Sequence, residues 1–394
     1  MGALREMWEV PRDLLRGGYP PFVTGGPLPR GDVPVFVFHS LEPIHFGAQL
    51  THLAENGYRT LGADEYLAVL EGREAAPDRA VVLTFDDGRG SLWTVGAPLL
   101  RRHGMKGIVF LVPGRTPSRP GPRFPTWDDV EPGRATAHAV LAREQGEGSL
   151  LSWEEVEDLA RSGVFDFESH TQMHARIHVG ARVTAFLTPD GREGYAAFDV
   201  PLLAAGAEPG RDLLPHEAAL GTPLLESAPR TSEALRFYED PAVRERCVAA
   251  VAAGGGVAFF AKRDWARRLR QLLPSRVSGR IETPEERERA LRAELADARA
   301  AIEAHTGRPV RLLCYPWHAW GPLSRRLSAE TGYAAALGGK VEGTPITRAG
   351  GDLLAIARVG DDYVETLPGR GRAGLATVLA RKWRRRLGRA GRGA

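Results

Sequence analysis

The chain has 394 residues, 43% hydrophobic and 26% charged, ordinary for a soluble globular protein and long enough to bury a core without disulfide staples. Its two cysteines, Cys247 and Cys314, exclude a disulfide scaffold and a cysteine-based zinc site. The net charge of +3 is uneven: residues 370–394 hold nine Arg or Lys and no acid, leaving the rest at −6, which argues against a chain-wide nucleic-acid binder.

Residues 1–32 read as an irregular, Gly- and Pro-rich lead-in. They contain no apolar run of signal-peptide length, and no stretch is long enough to cross a bilayer, so the expectation is a cytoplasmic protein. The run 35–38, set up by Pro34, predicts a buried strand ending at His39. His39 is either a site residue at the strand mouth or a satisfied structural histidine. Helical periodicity follows over 46–56 and 63–70.

Residues 80–85 are apolar and largely β-branched, predicting a central strand. It ends in Asp86-Asp87-Gly88. Adjacent carboxylates resist burial and need a cation, a shared proton or full solvation. Either this is a solvated turn or it is a charged pair at the mouth of a sheet or barrel, where α/β enzymes place their sites. A helix over 91–103 and a strand over 107–112 continue a β-α-β alternation, which argues for parallel α/β architecture.

Residues 113–132 carry six prolines and predict a long surface loop. A short helix near 135–143 follows, then a helix opened by the capping box Ser152-Trp153-Glu154-Glu155, then a strand over 164–169. That strand leads into His170-Thr171-Gln172-Met173-His174. Two histidines four apart can meet one ion, though a lone pair at this spacing is also a common structural feature. His178 extends the spacing and is read as a bystander. Residues 179–282 are poorly periodic; Gly254-Gly255-Gly256 lacks the setting of a phosphate loop, and the region reads as an insertion that could cover the site. Thr283, Pro284 and Glu286 open a helix running to 306. Strands are expected over 310–315, 333–337 and 353–358. In the tail, Leu375, Leu379, Trp383 and Leu387 form one stripe, with Arg381, Lys382, Arg384 and Arg385 mostly off it. This is either a basic helix for an anionic membrane surface or a terminal helix docked on its own domain.

Leu83-Thr84-Phe85-Asp86-Asp87-Gly88, with Ser169-His170-Thr171-Gln172-Met173-His174 downstream, resembles the polysaccharide deacetylases of carbohydrate esterase family 4. Val33 to Ser40 resembles the first strand of that family, Tyr315-Pro316-Trp317 its third motif, and 353–359 its closing strand. The resemblance is strongest to the branch whose first strand ends in a histidine and which acts on N-acetylated hexosamine polymers.

The resemblance implies a distorted parallel (β/α) barrel; on this reading it spans 33–370, interrupted by a large insertion at 179–282, with the lead-in 1–32 and the basic amphipathic tail 371–394 outside it. The resemblance makes Asp87, His170 and His174 ligands of one divalent metal, and Asp86 the general base. It makes His39 the general acid, with His318 as alternative, and gives Trp317 a backbone N–H for the oxyanion. Two His and one Asp suit Zn²⁺, with Co²⁺, Ni²⁺ or Fe²⁺ as alternatives. Two departures stand out. Cys314 occupies the position where many members carry an arginine, leaving Asp86 without an assigned arginine partner, and 353–359 contains Arg358 but no histidine.

The expected activity is removal of an N-acetyl or similar small acyl group from an amino sugar, in a glycan or a lipid-linked sugar. The rivals are an O-acetyl or formyl hydrolase, and a catalytically dead glycan-binding module using Trp127, Trp153, Trp317 and Trp320. The expected setting is the cytoplasm, with the tail at the inner membrane face and no nucleic-acid partner.

Overall fold

The structure is a computed structural model that describes residues 19–118, 124–145, 148–192, 194, 196–206, 210–339, 347 and 350–390. Its strands in chain order are β1 (Val35–Phe38), β2 (Arg59–Thr60), β3 (Ala80–Asp86), β4 (Gly107–Leu111) and β5 (Phe165–Ser169). After these come β6 (Arg176–Phe186), β7 (Leu203–Ala204), β8 (Asp212–Leu213), β9 (Pro223–Pro229), β10 (Phe237–Glu239) and β11 (Gly279–Ile281). The last three are β12 (Leu312–Cys314), β13 (Ala335–Leu337) and β14 (Val359–Gly360).

The main sheet has the order β13-β12-β5-β4-β3-β1-β14, with β2 added on β3, and every pairing in it is parallel. The sheet curls until its edges meet. Ile356 pairs with Leu337 at the end of β13, and three residues later Val359 pairs with Phe36 of β1. This closing segment is the expected strand over 353–358, shortened: only Val359–Gly360 is regular strand. The approach to it turns instead, with the Asp352 side chain capping the Leu354 N–H and its carbonyl accepting from Ala355.

Strand alternation sorts the side chains. On β3, Val81, Leu83 and Phe85 point outward into the larger core beneath the helices. Ala80 and Val82 point into the barrel, where Val35, Ile108, Phe110, Leu312, Cys314 and Ile356 meet Tyr66, Leu67 and Leu70 of the helix Ala63–Leu70. That helix plugs the amino-terminal end of the barrel. The same two-residue period puts Thr84 and Asp86 inside at the opposite end, and Arg358 inside above Ile356.

The helices end where their local chemistry dictates. Trp153–Ser162 opens on the Ser152–Glu155 capping box and stops at Gly163 in the left-handed conformation (φ 71°). Pro284–Thr306 opens on Thr283 and Glu286 and stops at Gly307 (φ 64°). The helix expected over 91–103 begins with a π turn, Leu92–Gly96, before Ala97–Arg102 becomes α-helical.

Between β5 and β12 the chain builds extra structure beyond the barrel. β6 and β9 form a long antiparallel ribbon, β7 pairs with β8, and β10 with β11, with the helix Pro241–Ala253 among them. Its small apolar clusters, such as Phe186, Cys247, Val251, Phe259 and Leu269, are separate from the barrel cores. Of the lead-in, residues 1–18 lie outside the described residues.

Candidate metal centre

The site lies at the carboxyl ends of β3, β5 and β12 and at the closing segment. Asp86 ends β3 inside the barrel, 3% exposed. Its carboxylate is gripped by the Arg358 guanidinium through two parallel bonds, Nη1 to Oδ1 at 2.7 Å and Nη2 to Oδ2 at 2.8 Å. Arg358 is anchored in turn by Thr84 Oγ1 at 3.1 Å and the Gly338 carbonyl at 3.1 Å. Burial alone would raise the Asp86 pKa, but the Arg358 guanidinium outweighs it and holds the carboxyl far below the usual range. Asp86 is therefore a carboxylate at all ordinary pH values. The arginine absent at position 314 is supplied instead by the closing segment, one residue before β14. Cys314 sits beside Asp86, its Sγ 3.9 Å from Oδ2.

Asp87 leaves the strand in the left-handed region (φ 72°), and both its carboxylate and that of Asp86 approach His170 Nε2, at 3.7 and 3.9 Å. Its Oδ2 accepts from Arg89 Nε at 3.0 Å and Nη2 at 2.7 Å, leaving Oδ1 to face the two histidines. Burial opposes its ionisation, but its pKa comes down to about 2, with the Arg89 guanidinium as the leading cause.

His170 Nε2 and His174 Nε2 each lie 3.7 Å from Asp87 Oδ1. Such spacing is too long for hydrogen bonds and close to the edge of a zinc tetrahedron, about 3.3 Å for bonds of about 2.0–2.1 Å. His170 Nδ1 is 2.7 Å from the Cys314 carbonyl, a bond that places a proton there and frees Nε2 for a metal. His174 Nδ1 is buried and makes no hydrogen bond. Burial lowers both histidine pKa values, that of His174 to about 3, which favours the neutral imidazole that a metal ligand requires. Asp87, His170 and His174 form one of the groupings compact enough to hold an ion, so these residues fit a divalent metal.

Backbone strain gathers here. Among the described non-glycine residues with positive φ, Asp87, Thr171, His174, Trp317 and His318 all belong to this site. Each such residue costs on the order of 1–3 kcal/mol and persists only where its surroundings over-determine it. The loop 171–174 is fixed in this way. The Glu294 carbonyl accepts from Gln172 N (3.0 Å) and its Oε1 from Met173 N (2.7 Å). Gly114 N donates to the Gln172 carbonyl (2.8 Å), Arg115 Nε to the Met173 carbonyl (3.2 Å) and His174 N to Thr171 Oγ1 (3.2 Å).

Other expected residues fall around this centre. His39 is half exposed, its Nε2 4.0 Å from Asp86 Oδ2. The Trp317 ring lies against His174 at 4.0 Å between centroids, with Arg176 over its other side at 5.2 Å. His318 is exposed and its ring packs on Gly339, where any Cβ would collide with it. His178 faces away into the extra structure: its Nδ1 is 3.2 Å from Glu239 Oε2 and its Nε2 accepts from Leu225 N at 3.3 Å.

Three contributors were not singled out from the sequence. Arg89 directly follows the Asp-Asp-Gly motif. Phe198, from the extra structure, packs its ring 5.2 Å from that of His174. Glu294 comes from the long helix. Arg358 was noticed but not placed, although a single charge inside 353–359 is a signal for a buried partner.

Residues 73–191 match the family profile described as polysaccharide deacetylase. The chain is 27% identical over 152 residues to the poly-beta-1,6-N-acetyl-D-glucosamine N-deacetylase of Escherichia coli, covering 39% of this chain and 20% of the relative. It is 23% identical over 154 residues to the Bacillus subtilis protein YxkH, covering 37% of this chain and 44% of that one. The aligned stretches thus span less than half the length of these curated relatives. Among solved structures, the deacetylase domain of BpsB from Bordetella bronchiseptica aligns with a TM-score of 0.49 at 17% identity, covering 85% of this chain and 98% of that one.

Proposed function

We propose that this chain, whose residues 73–191 match the polysaccharide deacetylase profile, is a member of that family and a metal-dependent hydrolase that removes an N-acetyl or similar small acyl group from an amino sugar. The substrate is an acetylated glycan, free or lipid-linked, and the metal is Zn²⁺. One observation carries the reading: two buried imidazoles converge on one oxygen of Asp87 while Asp86, an arginine-held carboxylate, stands beside them. A glycan-binding module needs no such set.

Asp87, His170 and His174 would hold the ion. When bound, it polarises the acyl carbonyl and acidifies water. In this reading Asp86 accepts the proton of the attacking water. Its bidentate partner Arg358 keeps it charged and aimed, so it is ready as a base without any change of protonation. The Trp317 N–H, at the strained turn after β12, donates to the oxyanion. His39 protonates the departing amine; its reach toward Asp86 and its open side suit a group that passes a proton next to solvent. The Trp317 and Phe198 rings flank His174 and exclude water from the reacting carbonyl.

The experiment is acyl release from matched soluble hexosamine oligomers carrying N-acetyl, N-formyl or O-acetyl groups, with zinc-loaded protein. Acetate from the N-acetyl oligomer supports the reading. Release from the O-acetyl oligomer alone makes the protein an esterase. Glycan binding with no release from any of them leaves only the binding module.

A further inference from the structure

Two exposed apolar side chains lie on helices that reach the rim at the carboxyl end of the barrel, where the site is. Ile44 is 76% exposed and Trp383 46%; only two other large hydrophobic side chains are this exposed among the described residues. Ile44 lies in the first turn of the helix Pro43–Glu55, five residues past His39 at the end of β1. A chain of neighbours leads from it to the residue before Trp383. The neighbouring His45 has a ring nitrogen within 4.8 Å of carboxylate oxygens of Asp361 and Asp362, which directly follow β14. Asp362 Oδ2 is 3.2 Å from Lys382 Nζ, and Trp383 is the next residue.

The tail helix Leu375–Ala390 climbs toward this rim. It runs antiparallel to the short helix Asp361–Thr366: Ala373 N donates to the Glu365 carbonyl, Arg381 reaches Glu365 at 2.9 Å, and Lys382 reaches Asp362. Its first turns are docked, with Val378 3% exposed and Leu375 packed on the core. The apolar stripe is therefore divided: its start belongs to the barrel, and Trp383 does not. From Trp383 to Ala390 the helix continues for about 12 Å at 1.5 Å per residue. That stretch carries Arg384, Arg385, Arg386 and Arg389 and no acid. On the docked part of the helix, Asp362 pairs with Lys382 and Glu365 with Arg381, and at the other helix Glu42 caps the N–H groups of Ile44 and His45.

We propose that this rim docks on an anionic lipid bilayer, with Ile44 and Trp383 entering the headgroup region and the net positive charge of the tail drawing the rim to the surface. Exposed apolar tips beside a run of cations suit a membrane interface. A nucleic acid would engage the arginines but has no use for Ile44. Docking in this way turns the carboxyl ends of the strands, and hence the site, toward the membrane. The docking itself does not depend on the deacetylase reading; that it presents a lipid-linked sugar to the site does.

The test is co-sedimentation of the full chain with phosphatidylcholine vesicles, with or without about 30% phosphatidylglycerol. The wild type should bind only the anionic vesicles. Ile44→Ser with Trp383→Ser should weaken binding about tenfold or more, as should Arg384→Glu, Arg385→Glu and Arg386→Glu together. Brominated acyl chains should quench the wild type more than Trp383→Ser. Unchanged thermal midpoints would show that the variants are folded, and acyl release from a soluble oligomer, measured in parallel, would report on the enzyme separately. The proposal is overturned if the wild type ignores anionic vesicles, if neither set of substitutions weakens binding, or if duplex DNA binds and vesicles do not.

Discussion

Arg358→Met tests the physical logic of the site most sharply. The substitution leaves a side chain of similar reach in the barrel but removes the only bidentate partner of Asp86 among the described residues. Both members of the pair are at most 3% exposed, so little solvent screening softens the loss. Breaking a buried pair by removing one partner costs about 3–5 kcal/mol. The pH dependence should also change sign. In the wild type the folded Asp86 pKa is depressed, so its contribution is complete above the unfolded carboxyl value and is lost as acid is added below it. Without Arg358, burial dominates and raises the folded pKa above the unfolded one, so stability should instead fall as pH rises. Urea unfolding of the chelator-treated protein at about pH 4 and about pH 7 reads both effects. A large deficit is expected at the higher pH and a smaller one at the lower. Arg358→Met combined with Asp86→Asn should recover much of it, because no buried charge then remains. A loss below about 1 kcal/mol, equal at both pH values, would refute the reasoning. Activity should fall about 10²–10⁴-fold in the single variant, since a protonated Asp86 cannot act as a base.

Other expectations follow from the same geometry. Glu168 accepts the N–H groups of Arg311 and Leu312, yet burial, reinforced by Asp166 and Glu303, pushes its pKa from 4.5 up to about 8. The folded chain therefore keeps a proton that the unfolded chain releases, and stability should decline between those two pH values by up to about 5 kcal/mol; urea titrations of Glu168→Gln should lack this slope. His39→Ala should lower kcat about 10²–10⁴-fold with KM and bound metal little changed, and a variant with full kcat would move the acid role to His318.

Much of this was legible because it is local. The outward and inward alternation along 80–86, the capping residues Ser152 and Thr283, and the glycines that stop their helices act over a few residues. The histidine pair is likewise carried to the site by a strand of its own. What was not legible depends on contacts distant in sequence. Arg358 meets Asp86 across 272 positions, and Glu294 holds the Met173 N–H across 121, so no window around either motif contains its support. The last strand was overextended because apolar content at 353–358 reflects burial at the barrel seam rather than a full ladder of hydrogen bonds. Phe198 was invisible for a different reason: the extra structure packs in several small clusters, and a fold without one dominant apolar face leaves no clear period in its sequence. The tail stripe misleads when read whole, since Val378 packs onto the barrel while Trp383, five residues on, is exposed.

The most direct measurement is the metal content of the wild type and His174→Ala, purified side by side and analysed after equilibration with Zn²⁺ and removal of free ion. The account expects a stoichiometric ion in the wild type and its loss in the variant, with the fold intact by circular dichroism. No retained metal in either protein, or equal amounts in both, would contradict the assignment of Asp87, His170 and His174 as a metal centre and remove the hydrolytic mechanism built on it.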